Sequence, residues 1–249
     1  MIYILRTENL KKIYTKNNTV FTAADNININ IPYGKCVGLV GESGCGKSTI
    51  AKLITGIEKI TSGKVYLDGK DITDLRGKEK RDLYKKVQMI FQNPQASFDP
   101  RMKLGKSVEE CLINFGYKRK EAKNRVLELF ESVGLKEEYY DRYPSSVSGG
   151  ECQRAAIARA ISINPKLLVC DEATSSLDVS VQAQIVKLLK SMQKEKSLSM
   201  LFICHDIALV YDVCDIVYVM HDGCIVESGT CDDVMNSPSC EYTKLLLSS

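Results

Sequence analysis

The chain has 249 residues, 44% hydrophobic and 26% charged, enough length to bury a core and an ordinary balance for a globular protein. Thirty-four Lys and Arg against 31 Asp and Glu leave a net charge of +3, too weak a bias to mark a nucleic-acid binder or a polybasic membrane anchor. No apolar run approaches the roughly 18–20 residues of a bilayer-spanning helix, and Ile2-Tyr3-Ile4-Leu5 before Arg6 is too short for a signal peptide. A cytoplasmic chain is expected.

In chain order, the first third reads as short strands and turns. Asn26 to Ile31 alternates polar and apolar residues, Pro32-Tyr33-Gly34 turns the chain, and Val37 to Val40 is a buried-strand run. Ser48 to Thr55 reads as a helix, and Gly63 to Leu67 and Val87 to Ile90 as two more strands. From about Lys106 to Arg142 the pattern becomes helical, with Val126, Leu129, Phe130 and Val133 at i, i+3, i+4, i+7. The charges between Lys118 and Arg142 have mixed sign and read as a solvated helix face. After Pro165 the chain alternates: a strand over Leu167 to Cys170, a helix face from Val181 to Met192, a strand over Met200 to Cys204 and another over Ile216 to Met220. Such alternation with apolar strands predicts a mainly parallel sheet covered by helices, the helical block being an insertion between its halves.

The ten cysteines are irregularly spaced, without a CxxC pair, and only His205 and His221 are at hand to complete a zinc site. Cys170 and Cys204 lie in apolar runs, where cysteine behaves as a small hydrophobe. Reduced core thiols are expected, with no metal role.

Gly41-Glu42-Ser43-Gly44-Cys45-Gly46-Lys47-Ser48-Thr49 follows one predicted strand and opens a predicted helix, matching GxxxxGK[ST]. Its glycines let backbone N–H groups wrap a polyphosphate at a helix N-terminus. Lys47 supplies a cation for the β- and γ-phosphates, and the Ser48 hydroxyl a ligand for Mg²⁺. Leu167-Leu168-Val169-Cys170-Asp171-Glu172 is a buried strand ending in two acids. Asp171 is expected near Mg²⁺, and Glu172 to polarise or deprotonate an attacking water. Ser148-Gly149-Gly150-Glu151 opens an Ala-rich helix and forms a second anion-binding device. With one Lys-bearing phosphate loop per chain, that device serves either the same nucleotide or one held by another chain.

At these residues the sequence resembles the ATP-binding-cassette (ABC) ATPases, whose signature is usually Leu-Ser-Gly-Gly-Gln; Val147 and Glu151 depart from it here. The resemblance covers almost the whole chain, with the motifs in the family's order. It implies that Tyr14 stacks on adenine, that Gln92 touches Mg²⁺ and senses a membrane partner, and that Ser176-Leu177-Asp178 is the D-loop. It further implies that His205 is the switch histidine holding the γ-phosphate, so that Glu172, His205 and Gln92 form the catalytic set and Ser48, Gln92 and Asp171 the Mg²⁺ set. Ser148, Gly149, Gly150, Glu151 and Asp178 would contact a partner's nucleotide.

The implied fold is α/β: a P-loop NTPase (RecA-like) parallel-sheet core with an N-terminal antiparallel β subdomain and an inserted α-helical subdomain. The chain would be one nucleotide-binding domain, residues 1–95 and 160–249 forming the core with its β subdomain and 96–159 the helical part. Within the family, the runs from Gln92 to Met102, from Ser176 to Gln184 and from Tyr242 to Leu246 are similar to importers of the oligopeptide, dipeptide and nickel group. The end at Ser249 resembles the shorter, nickel-type members. The resemblance implies ATP and Mg²⁺ as cofactors and a second, paralogous ATPase subunit in a head-to-tail dimer. It also implies two membrane permeases and, through them, an extracytoplasmic binding protein, placing the chain on the inner face of the membrane. Exporter subunits are the nearest rival. DNA-repair and ribosome-acting ABC ATPases fit poorly, since residues 92–148 hold only short predicted helices and no basic-aromatic patch, and no nucleic-acid partner is expected.

Overall fold

The computed structural model of the chain describes residues 2–16, 19–175 and 177–248. The first half runs β1 (Tyr3–Lys16), β2 (Thr19–Ile27), β3 (Asn30–Pro32), β4 (Cys36–Val40), α1 (Lys47–Ile54), β5 (Ser62–Leu67), β6 (Lys70–Asp71), α2 (Gly77–Lys86) and β7 (Val87–Ile90). Then come α3 (Leu104–Asn114), α4 (Arg119–Ser132), α5 (Gly149–Ile161), β8 (Leu167–Asp171), α6 (Val179–Lys196), β9 (Ser199–Ile203) and α7 (Ile207–Val213). The chain closes with β10 (Ile216–His221), β11 (Cys224–Thr230), α8 (Cys231–Asn236) and α9 (Glu241–Ser248).

Among the described residues two sheets form. The antiparallel one has the order β2-β1-β5-β6, with β3 also paired to β1; the larger has the order β11-β10-β4-β9-β8-β7. From β10 through β7 every pair is parallel, and β11 is an antiparallel edge. The apolar runs of β4, β8 and β9 are buried along their whole length because both faces of this sheet are covered. Alternation divides them between two cores. Val37 and Leu39, Leu167 and Val169, Leu201 and Ile203 meet α1 and the antiparallel sheet. Cys36 and Val40, Leu168 and Cys170, Met200 and Phe202 meet the helices of the opposite layer.

The predicted stripe Val126, Leu129, Phe130 and Val133 is buried in that second core. A wholly buried Phe of this kind contributes roughly 1.5–3 kcal/mol by area removed from water. The predicted helical stretch is, as expected, a set of short helices: α3, α4 and a 3₁₀ turn over Glu137–Asp141, with Gly116 and Gly134 turning the chain between them at positive φ. The predicted strand over Asn26 to Ile31 is instead the end of β2 and most of β3, and β1, β6, α2, α7, β11, α8 and α9 escaped sequence reading. The β1 strand is long and alternates poorly; α2 (GKEKRDLYKK) buries only Leu83; β11 buries no residue of its run fully. The cysteines are free thiols, and Cys36, Cys152, Cys170 and Cys204 fill core positions as expected. Among the described residues no group of three or more His, Cys, Asp and Glu is placed to hold a metal ion, and no helix is long and apolar enough to cross a membrane.

Candidate active site

Parallel strands deliver their carboxyl ends to one edge of a sheet, where ligands of open α/β folds bind. Here β4 ends at the Gly41 loop, β8 at Asp171, β9 two residues before His205, and β7 two residues before Gln92. Four motifs scattered over more than a hundred residues thus meet along one edge.

The phosphate loop is shaped by glycine where nothing else fits. Gly46 caps α1 at φ 110°, and a Cβ there would lie 2.1 Å from the Ala23 carbonyl oxygen. Gly41, at φ 151°, would likewise meet the Met220 carbonyl at 2.1 Å. Cys45 is buried beneath the loop, and burial pushes its thiol pKa up against the pull of Lys47. Ser43 and Gly44 are exposed at the tip, and Ser48 and Thr49 belong to the first turn of α1. Lys47 is 3% exposed, and its ammonium donates at 2.7 Å to the carbonyls of both Gly41 and Glu42. A buried cation held by two neutral carbonyls is poised to exchange them for phosphate oxygens, which bind it more strongly.

Across the loop, the Ser48 hydroxyl donates to Asp171 Oδ1 at 2.9 Å. Burial raises the Asp171 pKa, with the Ser48 bond opposing it and the neighbouring Glu172 charge adding to it. A hydroxyl and a carboxylate in contact form the hard-oxygen donor set that Mg²⁺ prefers when phosphate and water complete its shell. Glu172 follows with φ 46°, an unusual left-handed backbone for a residue with a side chain, and its N–H donates to the Ile203 carbonyl at 3.0 Å. Its carboxylate accepts from Gln92 Nε2 at 2.6 Å. The structure therefore brings together Gly41–Lys47, Ser48, Asp171, Glu172 and Gln92. His205 is exposed in the turn joining β9 to α7.

The remaining predicted residues form a second group. Ser148 caps α5: its Oγ accepts from Glu151 N at 3.3 Å, while the Glu151 carboxylate accepts from Ser148 N at 2.8 Å. This reciprocal capping box engages Glu151 with its own helix, and the Tyr139 hydroxyl also donates to it. The Tyr139 bond, ahead of the Ser148 bonds, holds the Glu151 carboxyl below its usual pKa. At the position where the signature usually has Gln, a carboxylate thus takes part in the cap of its own helix. Asp178 caps α6, accepting from Val181 N at 3.1 Å and Ser180 Oγ at 2.7 Å. The two caps abut: a Cβ on Gly150 would meet Val181 Cγ1 at 2.6 Å, and one on Gly149 would meet Leu177 at 3.6 Å. Ser176 lies outside the described residues. Tyr14 stands on β1 with its hydroxyl donating to Glu58 Oε2 at 2.6 Å and the Lys12 ammonium 4.7 Å from its ring centroid. One ring face thus already carries a cation.

Sequence reasoning missed two attachments. Arg159, near the end of α5, donates to the Ser97 carbonyl at 2.7 Å and to Ser97 Oγ at 2.8 Å, and stacks over Phe98 at 4.1 Å. It fastens the segment after Gln92 to the helix that carries Ser148. The phosphate loop is also bonded by the β10–β11 turn, Gly223 N to Cys45 O at 3.0 Å, and by Tyr242 of α9. The Tyr242 motif was visible in sequence, but only as a point of family likeness.

The ABC transporter family matches residues 24–175, more than half of the chain. The chain belongs to the ABC transporter family. It is 46% identical to the oligopeptide transport ATP-binding protein OppF of Salmonella typhimurium over 229 residues, 91% of this chain and 69% of that protein. With the dipeptide transport ATP-binding protein DppF of Escherichia coli it shares 41% over 99% of this chain and 76% of that one. Among solved structures, a dimeric ATP-binding cassette in a post-hydrolysis state bound to ADP and Pi superimposes with a TM-score of 0.84 at 28% identity, covering 91% of this chain and 98% of that one. The cbiO1 cassette of Clostridium perfringens, part of the ABC transporter complex cbiONQ, gives 0.83 at 31% identity over 95% and 92%. The fold is the ABC cassette, a P-loop NTPase with both predicted additions, and the chain is an ABC ATPase.

Proposed function

We propose that the chain is one ATPase subunit of an ABC importer for peptides. The observation that carries this is the Gln92–Glu172 contact beside the Ser48–Asp171 pair, at the edge where Lys47 holds the phosphate loop. Relatives named for oligopeptide and dipeptide transport favour peptides as cargo over the nickel-type reading drawn from chain length.

In this reading residues 1–249 work as a single nucleotide-binding domain. Tyr14 takes the adenine on its open face, and Lys47 leaves the Gly41 and Glu42 carbonyls for the phosphates. Ser48, Asp171 and Gln92 hold Mg²⁺, which when bound offsets the charge of the phosphate oxygens. Gln92 orients the Glu172 carboxylate, which takes a proton from the attacking water, and His205 donates to the γ-phosphate. Ser148, Gly149 and Gly150, with Asp178 beside them, face the nucleotide of a second ATPase subunit in a head-to-tail dimer, the partner being a paralogue. Two permeases rest beside Gln92 and link the pair to an extracytoplasmic binding protein, which keeps the subunit on the inner face of the membrane.

Cells carrying the transporter test the cargo. Uptake of labelled di- to oligopeptides is expected to fall to background when Glu172 is replaced by Gln, with nickel accumulation unchanged; the reverse pattern overturns the peptide assignment. The purified chain alone is expected to sediment as a monomer with little ATPase activity, because Ser148 completes a partner's site and not its own. Robust turnover by a monomer that never dimerises with Mg-ATP would contradict that arrangement.

A further inference from the structure

The peptide unit joining Gly41 to Glu42 is held at both ends. Its carbonyl oxygen accepts from the Lys47 ammonium at 2.7 Å, and its N–H donates to the Tyr242 hydroxyl at 3.2 Å. Tyr242 comes from α9, two hundred positions along the chain. Its ring stacks on His221 at the end of β10, centroids 3.9 Å apart and planes at 30°. The residue before His221, Met220, presents its carbonyl to Gly41 so closely that only glycine fits. The approach to α9 is fixed as well: Glu227 of β11 accepts from Ser239 N and Ser239 Oγ at 2.7 Å and from Cys240 N at 3.2 Å. The hydroxyl is therefore aimed by a stacked ring and an anchored segment, and it bonds the loop on the side opposite Lys47.

We propose that Tyr242 is a positioning residue of the nucleotide site, its hydroxyl fixing the Gly41–Glu42 peptide so that the phosphate loop and Lys47 are pre-ordered for ATP. The inference rests on the assignment of that loop as the ATP site. Without the hydroxyl, the peptide keeps only its bond to Lys47, the group that must turn to the phosphates, and the cost of ordering it falls on nucleotide binding. Tyr242 lies on the far side of the peptide from Lys47, so the effect falls on affinity and not on the proton transfer at Glu172.

Tyr242→Phe keeps the ring on His221 and removes the acceptor. In the full chain, ATP affinity by calorimetry is expected to weaken about three- to tenfold, the size of one neutral hydrogen bond. In the assembled transporter KM for ATP rises by the same factor, kcat stays within about twofold, and the melting temperature of the chain hardly changes. Glu227→Ala, which frees the segment before α9 while keeping the hydroxyl, is expected to weaken ATP in the same direction. Lys47→Ala serves as reference. If it loses ATP while Tyr242→Phe binds like the parent, the role of Tyr242 is refuted and the ATP site stands. If Lys47→Ala also binds like the parent, the site itself is misassigned. A fall in kcat at unchanged KM likewise overturns the positioning role.

Discussion

Glu172→Gln is expected to lower ATP turnover by about 10²–10³, the usual effect of losing one transition-state group, while leaving nucleotide binding intact. The substitution preserves volume and keeps an oxygen to accept from Gln92 Nε2, so the 2.6 Å contact survives and only the base is lost. Hydrolysis then stalls with both loops filled, and a stable dimer should elute from a sizing column in Mg-ATP. Asp171→Asn makes the contrast. It removes the charge beside Ser48 without touching Gln92, so Mg²⁺-dependent binding weakens and no dimer accumulates. Parent-rate hydrolysis by Glu172→Gln in the assembled transporter would pass the base role to His205 or Gln92.

Lys47→Ala should reduce ATP affinity at least a hundredfold in calorimetry. The ammonium is nearly buried, and it is the cation that the phosphate loop itself supplies. Two charge-assisted bonds to phosphate, each on the order of 1.5–3 kcal/mol, account for that size. Removal also strips the Gly41 and Glu42 carbonyls of their shared donor, so the loop loses its internal tie together with its ligand contact. Unchanged affinity would discard the placement of the site.

Most of this site was legible in the residues because phosphate chemistry demands rare backbone shapes. Gly41 and Gly46 stand where a Cβ would strike a carbonyl, and such positions leave a readable trace in sequence. The buried strands were readable for a related reason: β4, β8 and β9 are covered on both faces and so are apolar over most of their length. What escaped has no comparable trace. The α2 helix buries Leu83 alone, and in β11 the exposed Val226 and half-buried Glu227 break the match between polarity and burial, so neither residue pattern shows the period of its structure. Glu151 was read through the signature as a nucleotide contact. Its spacing from Ser148 also spells a capping box, and at three residues' separation the helix made that use of it. The bond from Tyr242 to Glu42 spans the chain, and no local pattern encodes an encounter made by the folding of β10, β11 and α9.

The Arg159 bonds give α5 a mechanical meaning. Thirteen residues at about 1.5 Å each make a rod of about 20 Å, with Ser148 at one tip and, near the other, a guanidinium bolted to Ser97 and Phe98. A short link from Gln92 to that bolt leaves little slack. A displacement of residues 93–98 is therefore expected to reach Ser148 through the rod, and one at Ser148 to reach back towards Gln92. Through Arg159, the segment that follows Gln92 and the helix that Ser148 caps are bolted into one body.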